Sequence, residues 1–169
     1  MVADFMVRAR ELLAEGVDET SLDAVGKLLA ESAREAGFVP DAEMQSLHGS
    51  ESSFTIVQSD ADGLTLMLSR FSPDAPTPVH DHKSWGVGCV VRGRDRYMHW
   101  ELTPDGAVRV LYEKELGPGS HVAWLGPPHD IHSQQGIAED AMELVLFGKN
   151  VTTIQRSYYD ASTGRPITR

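Results

Sequence analysis

The sequence predicts a mainly β protein, an antiparallel sandwich or small barrel, preceded by two α-helices. Three observations predict it. Helical periodicity stops before Ser53, and short β runs take over. Turn signals such as Asp62-Gly63, Gly93-Arg94-Asp95, Asp105-Gly106 and Pro118-Gly119 divide those runs into about nine strands at roughly 8–12-residue spacing, the spacing of an antiparallel fold and not of a parallel α/β sheet. The composition, 41% hydrophobic and 24% charged over 169 residues, suits one globular domain (1–169) with a sizeable core.

The elements follow in order. In residues 1–37, Phe5, Met6, Leu12 and Leu13 recur at helical spacing, and Gly16 stops the first helix. Asp18-Glu19-Thr20-Ser21 supplies N-cap candidates for a second helix, whose stripe is Leu22, Val25, Leu28, Leu29 and Ala33 and which ends at Gly37. Both helices are expected to pack on a sheet. Residues 38–52 form a connection with a helical turn near Asp41–Leu47. The barrel occupies about residues 50–160. Strands are expected at Phe54–Gln58, Leu64–Phe71, Gly86–Arg92, Arg96–Leu102, Ala107–Lys114, His121–Leu125, Ile131–Gln135, Met142–Phe147 and Thr152–Tyr159, with a frayed C-terminal ten residues. The three prolines of Ser72–Pro78 make a loop that delivers the chain to His80.

The net charge of −10 argues against nucleic acid and anionic membranes, because phosphate contacts need clustered Lys and Arg. No apolar run approaches the length of a bilayer span. Asp4, Arg8, Arg10 and Glu11 interrupt the first apolar pattern, unlike a signal peptide. The single cysteine, Cys89, forbids an intramolecular disulfide and fits a reducing, cytoplasmic setting. The chain is expected to be a monomer, or a homodimer through its outer sheet.

The chemistry concentrates in Pro76-Thr77-Pro78-Val79-His80-Asp81-His82-Lys83-Ser84-Trp85-Gly86. The prolines oppose a helix, and in an extended chain residues i and i+2 share a face. His80 and His82 then present two imidazoles side by side, a start for a transition-metal site. A third ligand is available some fifty residues on, as His129 or His132. His132 is favoured, since it heads a strand-like run while His129 follows two prolines in a loop. A jelly-roll barrel brings such distant strands to one interior point. Three histidines without a carboxylate leave a divalent metal its full charge and open positions for guests.

Pro78-Val79-His80-Asp81-His82 through Gly88, then Arg92-Gly93, resembles the first cupin motif, and Gly117-Pro118-Gly119-Ser120 through His132 resembles the second. The pairing of His80-Asp81-His82 with Trp85-Gly86, lacking the usual cupin glutamate, is similar to the cysteine dioxygenase family of thiol dioxygenases, which includes bacterial 3-mercaptopropionate dioxygenases. The resemblance covers roughly residues 50–150. It implies a double-stranded β-helix and an Fe(II) site on His80, His82 and His132. It further implies a small thiol that ligates the iron as thiolate, with dioxygen beside it and both oxygens passing to sulfur to give a sulfinate. Mn, Ni and Zn are alternative metals, and with them carbon-centre dioxygenase or isomerase chemistry. A non-catalytic cupin that binds a small ligand is the third reading.

The chain departs from that family. The Ser-x-His-x-Tyr run that supports the site falls on Glu143, Val145 and Phe147. The arginine that holds the substrate carboxylate falls on Ile56. The crosslinking cysteine of animal enzymes falls on Gly86, and Cys89 is expected in the core. Glu143 shares strand parity with Val145 and Phe147. It is expected either in the cavity, taking a proton or holding a cationic substrate, or solvated at the rim. Phe71, Trp85, Val145 and Phe147 are candidate pocket residues, His129 a candidate proton donor or guide at the mouth, and Arg70 an anion binder unless parity turns it outward.

Overall fold

The computed structural model of the chain describes residues 1–39 and 41–167. Pro40, within the 38–52 connection, and the last two residues of the expected C-terminal fray lie outside the described residues.

Two helices come first, as their periodicity requires. Helix α1 (Val2–Leu12) buries Phe5, Met6 and Ala9. Helix α2 (Glu19–Ser32) is capped by Asp18, whose Oδ1 accepts from Ser21 N at 2.8 Å; such a cap satisfies an amide that has no partner within the helix. It ends at Ser32, short of the expected Gly37, and successive turns carry the chain on to Gly37, which sits at φ +81°. A third helix, α3 (Asp41–Ser46), fills the expected turn.

The strands are β1 (Ser53–Ser59), β2 (Thr65–Phe71), β3 (Val79–His80), β4 (Gly86–Arg92), β5 (Asp95–Leu102), β6 (Val108–Leu116), β7 (His121–Trp124), β8 (Ile131–Gly136), β9 (Ala141–Phe147), β10 (Tyr158–Tyr159) and β11 (Pro166–Ile167). They form two antiparallel sheets, one in the order β1-β2-β9-β4-β7 and the other β11-β10-β3-β8-β5-β6. The expected strand at 152–159 is instead a 3-10 turn at Val151–Thr153 followed by β10. The expected C-terminal fray is likewise corrected, because Pro166–Ile167 pairs with β10.

The two sheets enclose the barrel, and the helices cover the outer face of the five-stranded sheet. Period-two alternation therefore gives that sheet two buried faces. Leu66, Leu68, Val87, Cys89, Met142, Leu144 and Leu146 meet the helices in one cluster. Met67, Val90, Val145 and Phe147 point into the barrel with Tyr97, Val122 and Trp124. Strands β2 and β9 are buried at every residue; β9 accordingly reads as a nearly unbroken apolar run, while β2 buries Thr65, Ser69 and Arg70 among its apolar residues. A Cβ at Gly26 would stand 2.3 Å from the His121 ring, so α2 and β7 approach closely only because residue 26 has no side chain. His121 Nε2 lies 2.9 Å from Asp23 Oδ1, tying the same two elements. Among the described residues, no helix is long and apolar enough to cross a membrane.

Candidate metal centre

Strand β3 is only two residues long, but it sets the register of the site. His80 pairs directly with His132 across β3 and β8. His82 lies beyond β3, in the bend before β4, and Asp130 holds it there by accepting from His82 N at 3.0 Å. The two outer residues of the expected extended pair thus use different backbone settings, yet both rings reach the barrel interior. The ligand atoms of His80, His82 and His132 all lie within 4.8 Å of one another, and all three residues are buried.

Burial holds all three imidazoles neutral. It pushes His80 down to about 4. His82 and His132 fall well below the ordinary range, chiefly through burial and then through the neighbouring rings. His82 Nε2 and His132 Nε2 stand 2.8 Å apart. Two lone pairs that close need a proton or a cation between them: the Nε2–H tautomer of one neutral imidazole satisfies the pair, and so does a metal ion. A metal with nitrogen ligands at about 2.0–2.1 Å places neighbouring ligand atoms about 3 Å apart. His80 Nδ1 donates to Pro78 O at 2.7 Å, which leaves its Nε2 as the free ligand atom. Nδ1 of His82 and of His132 are buried with no hydrogen-bond partner. The donor set fits a first-row divalent ion.

The three histidines line a cavity of about 520 Å³. Phe71, Val145 and Phe147 line it too, with Met67, Ser69 and Gln134. The Phe147 ring packs 4.6 Å from that of His82, centroid to centroid.

Three expectations need correction. Glu143 does face the barrel, as parity requires, but it lies apart from the cavity wall, 1% exposed, with Oε2 accepting from Gln134 Nε2 at 2.5 Å. It is therefore neither a rim residue nor a direct neighbour of a guest. Burial, with the Asp95 carboxylate adding to it, pushes it up to about 8. Its Oε1 comes within 2.2 Å of where a Cβ on Gly88 would stand. Trp85 precedes β4 and packs against the helix-side cluster with its ring over Gly148, not in the cavity. His129 is exposed, and lines a separate cavity of about 420 Å³ with Leu22, His99, Tyr112 and Trp124. It is not among the residues that line the three-histidine cavity.

Arg70 turns away from the cavity, as its parity with Phe71 requires, but it is buried rather than exposed. It pairs with Asp140 Oδ2 at 2.7 Å and donates to Glu51 O and Gly49 O. Ile56, at the position of the family's arginine, is partly buried with the barrel cluster. Gly86 leaves room for the Trp124 indole, which a Cβ there would meet at 2.2 Å. Cys89 is buried and its thiol is pushed up to about 12 by burial, which makes it inert.

Arg156 is the residue that the sequence did not single out. It lines the cavity with Tyr158. The segment carrying them is clipped over the site by Asp81, whose Oδ1 accepts from Ser157 N at 2.9 Å and whose N donates to Ser157 O at 3.2 Å. Lys83 Nζ completes the clip by pairing with Asp81 and donating to Ser157 Oγ. Burial lowers the Arg156 guanidinium from its ordinary value. No carboxylate pairs with Arg156 among the described residues, since Asp81, whose field reaches it, is taken by Lys83 and Ser157.

No protein-family model matches the chain, and no curated protein matches it in sequence. Solved structures do match. Peruvianin-I, a cysteine peptidase from Thevetia peruviana latex, aligns over 78% of this chain and 79% of its own at 16% identity, with a TM-score of 0.54. Oxalate oxidase in complex with the substrate analogue glycolate aligns over 66% of this chain at 16% identity, with a TM-score of 0.51. The chain covers 56% of that oxidase. A cupin 2 conserved barrel domain protein from Leptotrichia buccalis aligns over 63% of this chain and 45% of its own at 13% identity, with a TM-score of 0.48. The fold is a cupin barrel preceded by helices, as the motifs around His80 and His132 imply.

Proposed function

We propose that this cupin is a metal-dependent enzyme that oxidises a small anionic thiol to its sulfinate with dioxygen, using Fe(II) on His80, His82 and His132. The observation that carries the reading is the meeting, in one cavity, of three neutral imidazoles with an arginine that no described carboxylate pairs. Fe(II) supplies the redox chemistry that joins a thiolate to dioxygen. Both oxygen atoms enter the product, and the thiol proton leaves.

The chain's own residues prepare that reaction. Three uncharged ligands leave the cation's charge for the thiolate to offset, where a carboxylate ligand would compete with it. Arg156 takes the substrate's anionic group by charge-assisted hydrogen bonds. This offsets the loss of the family's arginine at Ile56. Phe71, Met67, Val145 and Phe147 keep water from the sulfur end. Trp85 and His129 take no part.

A second reading is conversion of a small carboxylic acid at carbon, by dioxygen or by isomerisation on Mn, Ni or Zn. It is favoured by the same Arg156, because no group in the cavity wall is one that only sulfur satisfies. Metal analysis followed by an oxygen electrode with a thiol panel tests the choice. The expected result is about one Fe(II) per chain and one dioxygen consumed per thiol lost. No uptake with any small anionic thiol under Fe(II) overturns the first reading.

A further inference from the structure

We infer that Gln134 is a specificity-determining residue, and that its side-chain carbonyl selects substrates carrying a hydrogen-bond donor as well as an anionic group. The inference rests on the reading of the three-histidine cavity as the substrate site.

The argument starts from two acids inside the barrel. Asp95 and Glu143 are both fully buried, on β5 and β9. Asp95 Oδ1 accepts from Gln135 N at 3.2 Å. Beyond that, one side chain serves both carboxyls: Gln134 Nε2 donates to Asp95 Oδ2 at 2.9 Å and to Glu143 Oε2 at 2.5 Å. A carboxamide nitrogen has two protons, and these contacts use both. Turning the amide over would set its oxygen 2.9 Å from the Asp95 carboxylate with no proton between them, whereas a protonated Glu143 can still accept through its carboxyl oxygen from the amide nitrogen. Asp95 therefore decides the orientation, and the nitrogen faces the acids.

The other end of the amide is then fixed as well. Backbone bonds anchor the residue, with Gln134 N donating to Thr77 Oγ1 at 2.9 Å and Gln134 O accepting from Thr77 N at 2.9 Å. Gln134 lines the cavity that holds the three histidines and Arg156. Its Oε1 accepts from no group among the described residues, and it is not among the sealed unpartnered atoms. The free carbonyl opens on the cavity. A buried acceptor left without a donor costs binding energy, so a guest that brings a donor gains over one that does not.

The substrate class is thus narrowed from a small anion to one bearing, in addition, a hydroxyl, ammonium or amide N–H. Asp95 and Glu143 act through Gln134 as positioning residues. They touch no guest, and they hold the acceptor in place.

The test is calorimetric binding to the metal-loaded protein without oxygen. Two ligand sets are used. One is 3-mercaptopropionate against cysteine and 2-hydroxy-3-mercaptopropionate. The other is sulfur-free: propionate against its 2-hydroxy and 3-hydroxy derivatives. At least one donor-bearing member is expected to bind about tenfold more tightly than its parent acid, the worth of one buried hydrogen bond. In Gln134→Met that ratio is expected to fall to about one. In Glu143→Gln, which can hold the amide either way round, it is expected to shrink. Equal affinity within both sets for the wild-type protein overturns the inference, whether or not Gln134→Met folds. The sulfur-free set keeps the two failures apart: no oxygen uptake with thiols sinks the thiol reading, while the propionate ratio still judges Gln134.

Discussion

Strand β9 carries two different chemistries on its two faces. Toward the helices it presents Met142, Leu144 and Leu146, an apolar row that interlocks with Leu22, Val25 and Leu29. Toward the barrel it presents Glu143, Val145 and Phe147, the first tied to Gln134 and the other two lining the cavity. The helix side is dry and complete. The barrel side holds buried acids and neutral imidazoles, and the half-buried Arg156 lines the same cavity as those imidazoles. Groups so costly to bury tend to mark functional sites. Neighbouring residues on one strand are therefore expected to fail in different ways.

The largest effect separates the faces outright. His132→Ala is expected to lose bound metal and oxygen uptake together, by more than the roughly 10–100-fold that loss of a ligand's supporting group costs. Its melting temperature without metal should stay near the wild-type value. Metal analysis after dialysis checks this, and unchanged occupancy would remove His132 from the ligand set.

On the other face, Leu144→Ala is expected to destabilise the fold by about 2–5 kcal/mol through the cavity it leaves. Urea unfolding reads the cost, and metal per folded chain should not change. Arg156→Met is expected to raise KM for an anionic thiol about 10–100-fold, the loss of hydrogen bonds to a charged group. Metal content should be unaffected, since the clip through Asp81 and Ser157 remains. A KM shift equally large for a cationic thiol would contradict the role given to Arg156.

Smaller effects sharpen the contrast through pH. Glu143 is raised from 4.5 to about 8 in the folded protein. The folded state then holds a proton that the unfolded state has released, so this group's contribution is complete below about 4.5 and is lost as pH rises through 8. Glu143→Gln is expected to flatten that fall, gaining most on the wild type above pH 8 in unfolding measured across pH. The smallest expected change is Asp23→Ala, which removes a half-exposed tie to His121 and costs roughly 0–1 kcal/mol, with no effect on metal or uptake.

Much of this was legible before any coordinates. Two prolines ahead of His80, and the spacing of His80 and His82, located two of the three histidines that cluster in the barrel. Turn residues located all the main strands. What stayed hidden has physical causes. Parity told which face Glu143 occupies but not how far along the barrel it sits, so its distance from the cavity could not be read. Trp85 shares its parity with Val87 and Cys89 and packs with them in the helix-side cluster, so alternation extended one residue before β4 already turns it from the cavity. His129 is three residues from His132, but a loop separates them and they serve different cavities. Arg156 reaches the site through the pairing of β10 with β3 and the bonds between Asp81 and Ser157, 76 residues apart. No local pattern encodes such a clip. Gln134 was visible as a strand residue, but the two acids that orient it come from other strands.

Gly88 has a consequence of its own. A methyl group there would collide with the Glu143 carboxyl, so the two positions are not free to vary separately. Descendants that discard the acid relieve that contact. Those that keep it keep glycine opposite or move the carboxyl end. Comparison of related chains should find the pair inherited together or abandoned together.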